Sequence, residues 1–225
     1  CQVSALVDRA AALALALTAC GPLQTDEPAS VDDAPATSEP LPVAIPRSEQ
    51  LEIYSDMLGR TYEVQVKLPP SYGEADSAGR VYPVLYLNDA PYNFQVAAGI
   101  THLPMNAATI EEFIIVGIGY ESGAGGMDSR TRDYTPTTNP EFERVTGEAA
   151  AYLGFVAEEL IPEVERRYRV DANRRVLGGH SFGGLFGAYV LFHQPELFAG
   201  YILSSPSFWF HEGVTYQYEK AFAET

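Results

Sequence analysis

The sequence predicts an α/β fold built on a mostly parallel central sheet with helices on its faces. Three observations carry that expectation. Val84-Leu85-Tyr86-Leu87 and Phe113-Ile114-Ile115-Val116-Gly117-Ile118 are continuous apolar runs, the pattern of strands buried on both faces. From Val81 onward such runs alternate with stretches of helical periodicity. Finally, Val176 climbs through a glycine-flanked corner, Gly179-His180-Ser181-Phe182-Gly183, into a run that is apolar nearly all round.

The chain has 225 residues and 46% hydrophobic content, enough for one sizeable domain with a buried core. Its net charge of -16 would repel nucleic-acid phosphates, so nucleic-acid binding is not expected. The two cysteines, Cys1 and Cys20, both precede the expected domain, which therefore holds no internal disulfide. No His/Cys/Asp spacing suggests a metal site, and no glycine-rich loop suggests a nucleotide cofactor.

Taken in order, residues 1–19 read as a signal segment. Ala10 to Ala19 is a short apolar run after Arg9, the length of a secretory signal core and too short to span a bilayer. It ends in Leu17-Thr18-Ala19-Cys20-Gly21, which resembles a bacterial lipoprotein signal with Cys20 as the lipidated residue. That predicts a membrane-anchored protein on the periplasmic side of the cell envelope. Residues 20–46 are rich in Pro, Ala, Ser, Thr, Asp and Glu and cannot bury enough surface to fold alone, as expected of a tether. The domain is expected over 47–225.

Leu51-Glu52-Ile53-Tyr54 and Tyr62 to Leu68 alternate apolar and polar residues around a Leu58-Gly59-Arg60 bend, predicting an antiparallel hairpin. A helix is expected over 94–109 and a long polar loop from Gly119 to Asn139. Leu153, Val156, Ala157, Leu160, Ile161 and Val164 share one face of a helix over 149–168, which Pro162 should kink or divide. A strand over 174–179, a helix over 183–193 and a last parallel strand at Tyr201-Ile202-Leu203 complete the pattern.

The corner has the G-x-S-x-G form of a nucleophile elbow, where glycines remove steric conflict in a tight strand-to-helix turn and raise a serine hydroxyl. With Tyr86-Leu87-Asn88-Asp89, Arg130-Thr131-Arg132-Asp133-Tyr134-Thr135-Pro136, Gly178 to Leu185 and Ser204-Ser205-Pro206-Ser207-Phe208-Trp209, the chain resembles the esterase family of α/β-hydrolases, and within it the enterochelin-esterase-like group. The resemblance implies the α/β-hydrolase fold, a small-molecule ester substrate and Ser181 as nucleophile. It implies backbone donors to the oxyanion at Phe182 and at Ala90, which stands where the family usually has glycine; Tyr92 is the second choice there. Tyr92, Arg132 and Trp209 are candidate substrate contacts. Arg130, Arg132 and Asp133 could bind an acidic or hydroxyl-rich substrate, but such a cluster is more often a local salt bridge that braces its loop.

Catalytic order in this fold is serine, acid, histidine. Only His193 and His211 follow Ser181, the first at the far end of a helix and the second too early in the chain. Glu212 is a weak candidate acid. The chain is therefore expected to continue beyond Thr225, where the acid and histidine would lie. Acyl transfer to an alcohol or sugar, and a non-catalytic binding protein on the same scaffold, are the competing expectations.

Overall fold

The computed structural model describes residues 43–224; the signal segment, Cys20 and the tether to residue 42 lie outside the described residues. Six strands form one sheet in the order β1-β2-β4-β3-β5-β6. Strands β1 (Ser48–Ser55) and β2 (Arg60–Lys67) make the expected antiparallel hairpin, turning at Gly59 with φ 64°. Strand β2 also pairs antiparallel with β4 (Ile114–Glu121). From there the sheet is parallel: β4 with β3 (Tyr82–Asn88), β3 with β5 (Val170–His180), and β5 with β6 (Gly200–Ser204). The chain thus has an α/β-hydrolase-type mixed sheet, mostly parallel, with helices on both faces.

Helix α1 (Ala90–Asn106) begins four residues before its expected start, because Pro91 sits in the first turn, where a missing N–H costs nothing. The polar stretch expected to be a loop instead contains helix α2 (Gly126–Tyr134). Three of its four buried residues are polar, Ser129, Thr131 and Asp133, with Tyr134 the fourth. A helix that buries hydroxyls and a carboxylate leaves no apolar periodicity to read.

The expected long helix is divided, as Pro162 predicts. Helix α3 (Ala149–Phe155) passes through a wide turn at Val156–Leu160 into α4 (Ile161–Arg167), with Pro162 at the second segment's start. The wide turn absorbs the lost N–H of proline. Helix α5 (Phe182–His193) lies on the same face as α3, and α6 (Thr215–Ala223) packs on α5.

The core on that face is aromatic. Tyr62 stacks on Phe155 with centroids 4.7 Å apart, and Tyr152 meets Phe186 edge-on at 5.0 Å. The opposite face is covered by α1, whose Ala90 and Phe94 pack on Ile115. Strand β6 is the edge of the sheet among the described residues. Between it and α1 lies an apolar groove of ≈340 Å³ lined by Val96, Ile100 and Ile202. All three are well exposed.

Two core tyrosines should respond oppositely to loss of the hydroxyl. Tyr62 donates to the Asp133 carboxylate at 3.0 Å. The Tyr86 hydroxyl has no partner among the described residues, and burial raises its phenol above the ordinary value. Urea unfolding should show Tyr62→Phe destabilised by about 2 kcal/mol, and Tyr86→Phe unchanged or more stable.

Candidate active site

The corner after β5 is shaped by what a side chain would strike. A Cβ at Gly179 would stand 2.2 Å from the Gly183 carbonyl oxygen, so the turn closes only around glycine. Ser181 follows with φ 56° and ψ -117°, a conformation L residues seldom adopt. Its backbone is held from several sides: its N–H donates to the Ser204 carbonyl at 3.0 Å, and its carbonyl accepts from Ser207 and Leu185 at 3.1 and 2.9 Å. Strain at this residue persists because neighbouring chain fixes it. The Ser181 hydroxyl lies 3.0 Å from that of buried Ser207 and opens on a cleft of ≈290 Å³. Asp89, Tyr92, Asn93, Arg130 and His180 border that cleft.

A second strained residue faces the first. Asp89, between β3 and α1, is left-handed at φ 59°. Its carboxylate accepts from Arg130 Nε at 2.7 Å, Arg130 Nη2 at 3.2 Å and the Tyr120 hydroxyl at 2.7 Å. Its own N–H donates to the Tyr134 hydroxyl at 3.2 Å. Arg130 Nη2 also donates to the His180 carbonyl at 3.2 Å, and the guanidinium lies 5.3 Å over the Phe182 ring. One arginine therefore joins the turn before α1 to the turn before α5. Below it, Asn88 Nδ2 donates to the Gly183 carbonyl at 3.1 Å. A Cβ on Gly183 would meet Asp89 Oδ2 at 2.8 Å, so that glycine makes room for the carboxylate. Burial foremost, then the Asp89 charge, raises the Tyr120 phenol well above its ordinary value. It remains a proton donor to Asp89 at any working pH.

Phe182 and Ala90 are the first residues of α5 and α1. First-turn N–H groups have no carbonyl one turn behind them and carry the positive end of the helix dipole. Ala90 is buried, and Tyr92 stands exposed at the rim of the Ser181 cleft.

Arg132, expected at the substrate, is placed elsewhere. Its guanidinium pairs with Asp133 at 2.8 Å and Glu121 at 2.7 Å, and lies 3.7 Å from Glu148, in a brace shared with Arg60. The arginine that reaches the cleft is Arg130, two residues earlier on the same helix. Trp209 is 67% exposed and stands 5.7 Å from the Phe182 ring. It lines a neighbouring cleft of ≈380 Å³ with Asn139, Glu141, His211 and Glu212.

No imidazole among the described residues bonds Ser181. His211, at a strained φ of 44°, pairs Nδ1 with the Thr137 hydroxyl at 2.7 Å. His193 stacks on Tyr189 at 3.9 Å, and exposed His180 lies 3.3 Å from the Ser204 hydroxyl. No group of three or more His, Cys, Asp or Glu that could hold a metal exists among the described residues. Sequence reasoning gave no role to Asp89, Tyr120, Tyr134 or Ser207. Asp89, Tyr134 and Ser207 lie in the stretches that carry the family resemblance; Tyr120 lies in none of them.

The Arg130–Asp89 pair has side chains only 11% and 3% exposed. Replacing Arg130 with methionine leaves a buried carboxylate unpaired. Unfolding should become easier by about 3–5 kcal/mol. Arg130→Lys should recover part of that loss, because a single ammonium cannot serve Asp89 and the His180 carbonyl with the same fork.

Residues 55–225 match the family described as Putative esterase. The chain is 33% identical over 192 residues to siderophore triacetylfusarinine C esterase of Aspergillus fumigatus, covering 83% of this chain and 64% of that protein. It is 36% identical over 176 residues to ferri-bacillibactin esterase BesA of Bacillus subtilis, covering 72% and 59%. The chain thus spans less than two thirds of the length of these relatives. Among solved structures, the BES protein from Bacillus cereus superposes with a TM-score of 0.73 at 29% identity, covering 84% of this chain and 72% of that one. Siderophore hydrolase EstB from Aspergillus nidulans gives 0.70 at 30% identity, covering 83% and 66%. The elbow at Ser181, the sheet that carries it and these matches lead to one conclusion: the chain belongs to the esterase family of α/β-hydrolase-type proteins.

Proposed function

We propose that this protein hydrolyses carboxylic esters through an acyl-enzyme on Ser181, with a small siderophore-like ester as substrate. The observation that carries the reading is the strained Ser181, presented at a cleft between two helix N-termini. The esterase names of relatives at 33% and 36% identity support the substrate class.

In this reading, the Ser181 hydroxyl gives its proton to a histidine as it attacks the ester carbonyl. A serine hydroxyl is a weak nucleophile without such a base. The negative oxygen that forms is held by the N–H groups of Phe182 and Ala90; losing one such donor typically costs roughly 10²–10³ in rate. The alcohol leaves with the proton, and water then cleaves the acyl-serine by the reverse path. Ser207 holds the resting hydroxyl, and Arg130 fixes the spacing of the two donors through Asp89 and the His180 carbonyl.

The base is assigned to residues beyond Thr225. Two observations support this. The side-chain partner of Ser181 among the described residues is Ser207. The chain also spans 64% and 59% of the two relatives above. The same reading keeps Cys20 as a lipid attachment point that holds the domain at the periplasmic face of the envelope.

The test compares residues 1–225 with a chain extended past Thr225, using p-nitrophenyl acetate and ferri-bacillibactin. The extended chain should hydrolyse both, and Ser181→Ala should lower its turnover by about 10⁶. In residues 1–225 alone, Ser181→Ala should change little, because a member of the catalytic set is already missing. An active 1–225 fragment would move the base to His211.

A further inference from the structure

Toward the end of the sheet away from Ser181, β2 closes on Lys67, which pairs with Ile115 at the start of β4. Lys67 is 2% exposed. Its ammonium donates to the Pro46 carbonyl at 3.0 Å and forms no ion pair among the described residues. Arg47, left-handed at φ 58°, turns residues 43–46 back over it. Among the described residues the Arg47 guanidinium likewise meets only neutral oxygens, the Leu68 carbonyl and the Asn106 amide, each at 3.3 Å. This is unusual in a chain of net charge -16. Arg60, Arg130, Arg132 and Arg175 each hold a carboxylate.

The space beside Lys67 is a cleft of ≈430 Å³, lined by Ile45, Pro46, Lys67, Gln95, Gly99 and His102. Gly99 lies in the interior of α1. A Cβ there would meet nothing within 4 Å, so no packing contact calls for glycine. Glycine inside a helix is unfavourable. What it does here is leave the wall of the cleft low. Burial first, and Arg47 second, holds the Lys67 amine below its ordinary proton affinity. A buried ammonium without an anion is a costly group, and an incoming negative charge relieves that cost.

We propose that this cleft is a binding site for a small organic carboxylate, with its oxyanion on Lys67 and its apolar body along Ile45 and the Gly99 face of α1. The apolar Ile45 and Pro46 beside the ammonium favour a carboxylate with an apolar body over inorganic phosphate. Gln95 and His102 supply polar contacts at the rim. The site is separate from Ser181 and stands whether or not the esterase reading does.

Lys67 and Lys220 are the only two lysines of the chain, so ¹³Cε-lysine labelling gives two NMR signals, assigned through Lys67→Met. Titration with benzoate should shift the Lys67 signal saturably, raise the proton affinity of that amine about tenfold or more, and leave Lys220 still. Gly99→Leu sets a bulky side chain on the wall of the cleft, with Lys67 itself unchanged, and should abolish the response. A Lys67 signal indifferent to benzoate, an equal response in Gly99→Leu, or an equal response to inorganic phosphate would overturn the proposal.

Discussion

The arrangement around Ser181 depends on one buried ion pair, Arg130 with Asp89. Two turns that are far apart in sequence must stand at a fixed spacing: the one before α1 and the one before α5. Both carry a residue in a strained conformation, Asp89 at φ 59° and Ser181 at φ 56°. Neither strain is relieved locally. Arg130 spans the gap by binding the Asp89 carboxylate with two nitrogens and the His180 carbonyl with one. Tyr120 and Tyr134 fill the remaining bonds to Asp89. A planar guanidinium suits this task because its donors diverge at fixed angles. The pair is almost fully buried, so it is unscreened by solvent and intolerant of losing either member.

This constraint explains the polar interior of the α2 side of the molecule. Helix α2 delivers Arg130 to both turns and the Tyr134 hydroxyl to the Asp89 N–H. On its remaining face, Asp133 is held by Ser129, Arg132 and Tyr62. Arg132 joins Asp133 to Glu121 and Glu148. The helix is thus anchored by charges along most of its length, and by the Tyr134 ring, which packs on Phe186 and Tyr152, at its end. Its rigidity comes from satisfied ion pairs, and the spacing of the two helix N-termini at the cleft inherits that rigidity.

Much of the fold was legible because it rests on apolar patterning. The hairpin, the runs at 84–87 and 113–118, the division at Pro162 and the apolar helix after Ser181 all follow from where large apolar side chains fall. Helix α2 was not legible for the opposite reason: three of its four buried residues, Ser129, Thr131 and Asp133, are polar. Treating that stretch as a loop left no basis for choosing between Arg130 and Arg132. On a helix, residues two apart point to nearly opposite sides. Arg130 faces Asp89, and Arg132 faces the brace. The elbow was readable in local sequence, since Gly179 and Gly183 announce a close approach. The left-handed Asp89 was not, because its conformation is imposed by partners more than 30 residues away in sequence.

The central claim is that Ser181 is an activated hydroxyl facing two preorganised donors. The most direct measurement is covalent labelling of the extended chain with a fluorophosphonate, followed by peptide mass spectrometry. The account predicts one adduct per chain, on Ser181, with a stable tetrahedral phosphonyl group that mimics the charged intermediate. Absence of any adduct, or an adduct on Ser207 with Ser181 untouched, would contradict it.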